Sequence, residues 1–316
     1  MDFWSSQPRN SLTINKQVGA DRRIGETKID PQYHKYIEHT IEHGYVIIEN
    51  AFTPAAVDEA NAELRRLSAT PIAAGPAAAG GRNEFEGLKT KRIYALLNKS
   101  RTFDAFALHP AVVALNDFFL DPNWLLSTLH SITSQPGEDS QTLHHDDGAI
   151  TVPRPHKPFG SAIMVALDAY TATNGATVVV PGSHTWGATP MPTRGQAIPV
   201  TMPAGSLVYF IGTLWHGRGR NESAHERRAL TVQYCQPWVR PLENQFLAVD
   251  WERLDEMPAR LVDALGYRVG APFVGFVDGI SPRKYVARKV EERRQQRREK
   301  RSEGEEGGRE GRANKL

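Results

Sequence analysis

The sequence predicts a β-rich α+β fold in which short antiparallel strands close into a barrel or jelly roll, with helices flanking it on the N-terminal side. Three observations predict this fold. Residues 30–120 carry helical periodicity, residues 124–234 carry five short apolar or alternating runs, and turn residues separate those runs. A chain of 316 residues with 40% hydrophobic content is also long enough to bury a large core.

Three amphipathic helices and one strand are predicted ahead of the β region. The first two helices each begin with an N-cap residue followed by proline, at Asp30-Pro31 and Thr53-Pro54. Apolar residues then recur every three or four positions, which is typical of a helix with one buried face. The predicted elements are a helix from Asp30 to Gly44, a strand over residues 45–48, a helix that opens at Thr53 and reaches Leu67, and a helix over residues 110–120.

The β region follows as short runs bounded by glycine and proline. Turn signals such as Asn174-Gly175 and Pro181-Gly182 stand between the runs, so the spacing favours antiparallel strands. The predicted strands cover residues 124–133, 162–167, 177–180, 206–211 and 229–234. The segment AAGPAAAGG at residues 73–81 carries no side chain able to anchor it, and we expect a mobile loop there.

A group of histidines and carboxylates stands in the middle of the chain, in QTLHHDDG at residues 141–148. On an extended strand, a His-x-Asp pair points its imidazole and its carboxylate to the same face. Both His144-x-Asp146 and His145-x-Asp147 have this spacing, and a solvated polar turn would explain the same residues without a metal. His216, where a predicted strand leaves the sheet, offers a third ligand. Two histidines and one carboxylate form the facial triad of non-haem Fe(II) oxygenases.

A cation suited to an anionic co-substrate follows eleven residues after His216. When 2-oxoglutarate chelates iron through its keto acid, its distal carboxylate needs a bidentate donor, and an arginine supplies one. In RRALTVQY, strict alternation places Arg227 on one face with Ala229, Thr231 and Gln233, and Arg228 on the other. We interpret the first face as the polar lining of a cavity in which Arg227 and Thr231 bind the co-substrate.

These segments together resemble the phytanoyl-CoA dioxygenase family of Fe(II)- and 2-oxoglutarate-dependent oxygenases, over residues 29–282. The resemblance implies a double-stranded β-helix, a cupin-like jelly-roll barrel. It also implies that His144, Asp146 and His216 bind iron and that Arg227 binds 2-oxoglutarate. The matching pieces are GYVIIENAF, QTLHHDDG, NGATVVVPGSHTWG, PAGSLVYF, LWHGRGRN and RRALTVQY.

The family pattern bears on two further choices within QTLHHDDG. Its form Leu-His-x-Asp favours His144 with Asp146, which would leave His145 and Asp147 on the opposite face, where they could orient the ligands. Family members also use a glutamine just ahead of this motif near the co-substrate. Gln141 would take that place, although strict alternation puts it off the ligand face.

The resemblance implies an enzyme that uses Fe(II), 2-oxoglutarate and O2 to oxidise a small organic substrate, with release of succinate and CO2. Halogenating relatives replace the carboxylate ligand with a small residue, so Asp146 favours hydroxylation, desaturation, epoxidation or rearrangement. The family acts on acyl-CoA thioesters, osmolytes and scaffolds of secondary metabolism. The sequence does not select among these substrates. The alternative function is a non-catalytic cupin-type binding or regulatory protein.

Three loop-like segments are expected to contact the substrate, at residues 73–81, 89–94 and 152–159. In the second segment, Lys89, Lys91 and Arg92 could bind an anionic group of the substrate or help to seat the co-substrate. An ordinary exposed basic turn would explain them equally well.

The chain divides into an N-terminal extension at residues 1–28, a dioxygenase domain at 29–287 and a basic tail at 288–316. The tail holds 11 Lys and Arg against 7 Asp and Glu, whereas the remainder holds 27 against 29. We expect a frayed helix leading into disorder, a solvated appendage for which nucleic acid is an unlikely partner; contact with nucleic acid or an acidic partner is the alternative. The sequence gives no signal for the oligomeric state.

Several features favour a cytoplasmic protein. No apolar run approaches the length of a membrane span, the N-terminus lacks the layout of a signal peptide, and the single cysteine, Cys235, cannot form an internal disulfide. The final Asn-Lys-Leu is a degenerate version of the peroxisomal Ser-Lys-Leu signal, which makes the peroxisome an alternative location.

Overall fold

A computed structural model of the chain describes residues 13–17 and 23–313, and the side chains of residues 29–301. The strands in this part of the chain are β1 (Thr13–Gln17), β2 (Arg23–Lys28), β3 (Tyr45–Ile48), β4 (Lys91–Ile93), β5 (Leu125–Ser134), β6 (Gly160–Ala166), β7 (Thr177–Val179), β8 (Ile198–Pro199), β9 (Leu207–Ile211), β10 (His216–Arg218) and β11 (Arg227–Cys235). The helices are α1 (His34–His43), α2 (Pro54–Ser68), α3 (Pro71–Ala74), α4 (Leu96–Lys99), α5 (Asp104–Ala107), α6 (Pro110–Phe119), α7 (Gln245–Ala248), α8 (Ala259–Val262) and α9 (Pro282–Ala313).

Strands β3 to β11 form two antiparallel sheets. The larger sheet has six strands in the order β3-β9-β6-β11-β5-β4, and the smaller sheet has three in the order β10-β7-β8. Met164 of β6 and Phe210 of β9 pack with Val179 of β7 in one buried cluster, so the smaller sheet covers one face of the larger. The predicted β-rich α+β jelly roll is confirmed, as two facing sheets rather than as a closed barrel.

The other face of the larger sheet carries the main core. Leu230 and Val232 of β11 pack there in one cluster with Leu64 of α2 and Leu115 of α6. Residues of β11 therefore alternate between the helix-covered core and the gap between the two sheets. The functional residues predicted on β11 lie on the face that points into that gap.

Helix α2 begins directly after its predicted N-cap, whereas the helix predicted from Asp30 begins as a 3-10 turn, Pro31–Tyr33, and becomes α1 only at His34. The side chains of Asp30 and Thr53 each accept a backbone N–H of the following turn, at 3.0 and 3.2 Å. Helix α1 ends at Gly44, which has a φ of +84°. A Cβ at this position would lie 2.6 Å from the imidazole of His184, so the backbone conformation and this contact both require glycine.

The segment predicted as a mobile loop at residues 73–81 is instead folded into the end of α3 and a 3-10 turn over Pro76–Ala79. Its anchors lie outside the segment. Thr70 caps α3 by accepting the N–H of Ala73 at 3.3 Å, and the Lys99 ammonium donates to the carbonyl of Ala74 at 3.2 Å. A prediction based on the composition of the segment alone could not include these contacts.

Helix α9 crosses the predicted boundary between the domain and the basic tail. Val286 and Val290 are buried in the main core, and the guanidinium of Arg293 lies over the ring of Trp251, 5.0 Å from its centroid. The first turns of the tail are therefore packed against the rest of the protein. Disorder towards the end of the tail remains a prediction, and so do the domain boundaries. The terminal Asn-Lys-Leu lies outside the described residues. Among the described residues, no helix is both long and apolar enough to cross a membrane.

Candidate metal centre

His144 and His216 lie opposite each other in an isolated antiparallel bridge. The N–H of each residue donates to the carbonyl oxygen of the other, at 2.9 and 2.8 Å. Residues paired in this way point their side chains to the same face, and the two imidazole centroids are 4.4 Å apart. His216 is the first residue of β10, so it begins a strand, whereas the sequence suggested that it follows one.

Asp146 reaches the two histidines from a 3-10 turn, Asp146–Ala149, and not from the extended strand that the spacing suggested. Its Oδ1 lies 3.7 Å from Nε2 of both histidines. One ligand atom from each of the three residues lies within 4.8 Å of the others. Because nitrogen and oxygen ligands bind a metal at about 2.1 Å, atoms at this spacing can share one ion.

Hydrogen bonds determine which nitrogen of each histidine faces the site. Nδ1 of His144 lies 3.0 Å from the carbonyl oxygen of Thr142, and Nδ1 of His216 lies 3.0 Å from that of Leu214. A carbonyl oxygen only accepts, so both Nδ1 atoms carry a proton and both Nε2 atoms present a lone pair. Burial, and then the facing His216 ring, lower the pKa of His144 to about 4, which keeps that ligand neutral near pH 7.

Gln233 on β11 orients the carboxylate, which is a contact that the sequence did not reveal. Its side-chain amide donates to Oδ2 of Asp146 at 3.5 Å, while Oδ1 faces the histidines. Groups that hydrogen-bond a ligand in this way fix its orientation. The alternation along β11 already placed Gln233 on the cavity face, so this residue could have been proposed.

His145 and Asp147 make contacts away from the three converging ligands. The ring of His145 packs edge-on against Trp215, with 4.9 Å between centroids. Asp147 is buried, and its carboxylate accepts the backbone N–H of Phe159 at 2.8 Å. Burial raises the pKa of Asp147 to about 7. Of the two His-x-Asp registers that the sequence left open, the first is the one that converges with the distant histidine.

The three ligands line a cavity of about 710 Å³ between the two sheets. Met164 and Phe210 of the larger sheet and Thr177 of the smaller sheet form part of its wall. The volume is in the range of sites that bind small organic molecules. Since both sheets contribute to the wall, the jelly-roll packing itself creates the cavity.

Arg227 stands in the wall of this cavity and is only 2% exposed. Its guanidinium donates to the hydroxyl of Tyr170 at 2.9 Å and to the carbonyl of Gly175, and its Nε has no hydrogen-bond partner. No carboxylate among the described residues forms an ion pair with it. A buried cation without an anionic partner is costly, so this arrangement suits an anionic ligand. Arg228, by contrast, is paired with Asp168 at 2.6 Å.

Gln141 and Thr231, the other predicted co-substrate contacts, also line the cavity. Thr231 is 3% exposed on β11. The Gln141 side chain accepts the N–H of Arg218 at 3.2 Å and donates to the carbonyl of Phe85 at 3.0 Å. Gln141 lies in an irregular segment, so the strand alternation that placed it off the ligand face does not apply.

His130, Arg92 and Arg218 are among the further polar residues that line the cavity. His130 of β5 is buried, and burial lowers its pKa to about 3. Arg92 is the member of the predicted basic segment that faces the cavity, whereas Lys89 and Lys91 are exposed. Arg218 lies two residues after His216 on the same strand, so alternation could have indicated it. Nothing in the sequence marks His130.

Comparisons with known proteins agree with this architecture. The sequence pattern of the family described as Phytanoyl-CoA dioxygenase (PhyH) matches residues 41–229. The chain is 31% identical to the dioxygenase FUM3 of Gibberella moniliformis, over 72% of this chain and 80% of that protein. It is 30% identical to the dioxygenase trt7 of Aspergillus terreus, over 68% of this chain and 76% of that protein.

A solved structure has a similar fold. It is the epimerase SnoN from nogalamycin biosynthesis, in complex with Fe3+, alpha-ketoglutarate and nogalamycin RO. The superposition has a TM-score of 0.54 and 19% sequence identity, and it covers 80% of this chain and 96% of that chain. At this identity the similarity concerns the fold alone.

Proposed function

The chain belongs to the phytanoyl-CoA dioxygenase family of Fe(II)- and 2-oxoglutarate-dependent enzymes, and from this premise we propose that it hydroxylates a small organic molecule. Desaturation, epoxidation and rearrangement are outcomes of the same chemistry. The observation that carries the proposal is the convergence of His144, Asp146 and His216 inside a cavity of small-molecule size. The proposed substrate is a secondary metabolite or a lipid-like acyl compound.

The donor set fits iron. Two imidazole nitrogens and one carboxylate leave coordination positions open for further ligands, as the facial triad requires. We assign the metal-binding atoms to Nε2 of His144, Nε2 of His216 and the carboxylate of Asp146. The side-chain amide of Gln233 donates a hydrogen bond to that carboxylate. When Fe(II) and 2-oxoglutarate are bound, O2 would supply the oxidising power, and 2-oxoglutarate would be oxidised to succinate and CO2.

The remaining assignments concern the co-substrate. Arg227 takes the distal carboxylate of 2-oxoglutarate, because it is a buried guanidinium that no carboxylate of the described chain neutralises. Gln141 and Thr231 contact the same molecule from the wall of the cavity. The apolar walls around Met164 and Phe210 limit the access of water to the reacting groups.

Incorporation of oxygen from 18O2 into succinate tests the proposed function without knowledge of the substrate. The wild-type chain, supplied with Fe(II) and 2-oxoglutarate, is expected to form labelled succinate slowly in the absence of substrate. His216→Ala should reduce this reaction to the level of a protein-free blank, whereas His225→Ala, at an exposed histidine nine residues later, should not. Succinate formation by His216→Ala at the wild-type rate would refute the assignment of this ligand.

A further inference from the structure

Three exposed apolar side chains stand at the mouth of the metal cavity. Phe85, Met191 and Leu242 line the cavity and are 50, 64 and 75% exposed. They belong to three loops that are distant in sequence. Single exposed apolar residues are ordinary, but several gathered at the opening of a cavity indicate a surface for an apolar ligand.

Phe85 contacts one of the proposed iron ligands. Its ring stands edge-on to the ring of His144, with 4.8 Å between centroids and an interplanar angle of 68°. The residue is nevertheless 50% exposed and lines the cavity, so a ligand there can contact Phe85 and the metal centre together.

The backbone around Phe85 is held in place by side chains of the cavity wall. The amide of Gln141 donates to the carbonyl of Phe85 at 3.0 Å, and the guanidinium groups of Arg92 and Arg218 both donate to the carbonyl of Glu86, at 2.7 and 3.2 Å. A side chain carried by a backbone that is fixed in this way can impose one orientation on a ligand.

The charges of the cavity argue against a substrate attached to coenzyme A. The three guanidinium groups that line it, on Arg92, Arg218 and Arg227, are 7, 6 and 2% exposed. They lie in the buried part, and Arg218 has its own carboxylate partner in Glu138, at 3.8 Å. The phosphates of coenzyme A would need cations at the open mouth, where the three rim residues are apolar and the neighbouring guanidinium of Arg194 already donates to the carbonyl oxygens of Gln141 and Arg218.

Building on the proposed function, we propose that Phe85 is a specificity-determining residue, and that together with Met191 and Leu242 it selects a substrate with an apolar ring scaffold and no coenzyme A. The phenyl ring would pack against the scaffold and hold it next to the metal centre. Aromatic side chains suit this role because they offer a large apolar surface with little conformational freedom.

Nile red, a neutral apolar ring compound, serves as the probe because the natural substrate is unidentified. The full-length chain, loaded anaerobically with Fe(II) and 2-oxoglutarate, is titrated with the dye and its fluorescence is followed. Phe85→Ser should weaken binding about tenfold, since it removes the apolar contact. Phe85→Leu, which keeps an apolar side chain, should stay within about threefold of wild type. Phe273→Ser, at a phenylalanine that is 74% exposed and does not line the cavity, should bind like wild type.

Coenzyme A and the visible absorption of the metal centre complete the test. Millimolar coenzyme A should not displace the dye, and Phe85→Ser should keep the absorption band of chelated 2-oxoglutarate. Wild-type affinity in Phe85→Ser, no dye binding by wild type, displacement by coenzyme A, or loss of the band in Phe85→Ser would each overturn the proposal. Absence of the band in wild type would instead count against the proposed function, so the two failures are distinguishable.

Discussion

The substitution Arg227→Gln tests how the cavity recognises 2-oxoglutarate. A guanidinium has five N–H donors, and this one directs two of them to Tyr170 and Gly175. Three donors therefore remain for a carboxylate, enough for a bidentate contact. Because Arg227 is only 2% exposed, solvent screens that contact little.

The expected magnitude follows from this burial. Removing one partner of a buried, hydrogen-bonded charge pair costs about 2–5 kcal/mol. Part of the guanidinium's hydrogen-bonding capacity is already used within the protein, so we expect a value near the lower end, about 2.7 kcal/mol. This corresponds to roughly a hundredfold rise in the dissociation constant of 2-oxoglutarate.

The assay is an anaerobic titration of the Fe(II)-loaded protein with 2-oxoglutarate, followed by visible absorption. Arg228→Gln is the matched control, because the neighbouring guanidinium is bound to Asp168 by contacts of 2.6 and 2.9 Å. Circular dichroism confirms that both variants are folded. If Arg227→Gln binds 2-oxoglutarate within threefold of wild type, the assignment of the distal carboxylate to this residue is wrong.

Three further predictions concern the ligand register, the pH dependence and the C-terminal helix. His144→Ala should abolish Fe(II) binding measured by calorimetry while His145→Ala largely retains it, and the opposite result would shift the motif by one residue. Because burial holds the pKa of His130 at about 3, below its ordinary value of 6.5, the stability that this neutral ring contributes is complete above pH 6.5 and falls as the pH drops towards 3. His130 alone should account for about 2 kcal/mol of the change in unfolding free energy between pH 7 and pH 5, so the loss measured by urea unfolding should be smaller by about that amount in His130→Gln than in the wild type; equal losses would contradict the reasoning. Val290→Ala should lower the free energy of unfolding by about 2 kcal/mol, since the side chain is 7% exposed in the main core; an unchanged value would mean that α9 does not pack there.

The strand β11 shows how much of the site could be predicted from the sequence. Its alternation separates Arg227, Thr231 and Gln233 from the apolar residues between them, and the structure places those three side chains on the cavity wall. The alternation of side chains between the two faces of a strand can be predicted from the sequence, because it depends only on neighbouring residues of one strand. The capped starts of α2 and of the 3-10 turn ahead of α1 were predictable for the same local reason.

Other parts depend on contacts that no local pattern encodes. Strand β10 has only three residues, His216–Arg218, and it exists because it pairs with β7. Phe85 and His130 reach the cavity through long-range folding of their segments, and neither belongs to a motif. Likewise, Val290 sits in a strongly charged stretch, where one apolar residue per turn is a weak signal for burial.

The most direct test of the central claim is an anaerobic titration of the metal-free protein with Fe(II) and then 2-oxoglutarate, in wild type and in His216→Ala. A keto acid chelated to iron produces a weak visible charge-transfer band. We predict that the band appears in wild type and is absent from His216→Ala, because the variant lacks one of the three converging ligands. A folded wild-type protein that gives no band, or a His216→Ala variant that gives the wild-type band, would contradict the account.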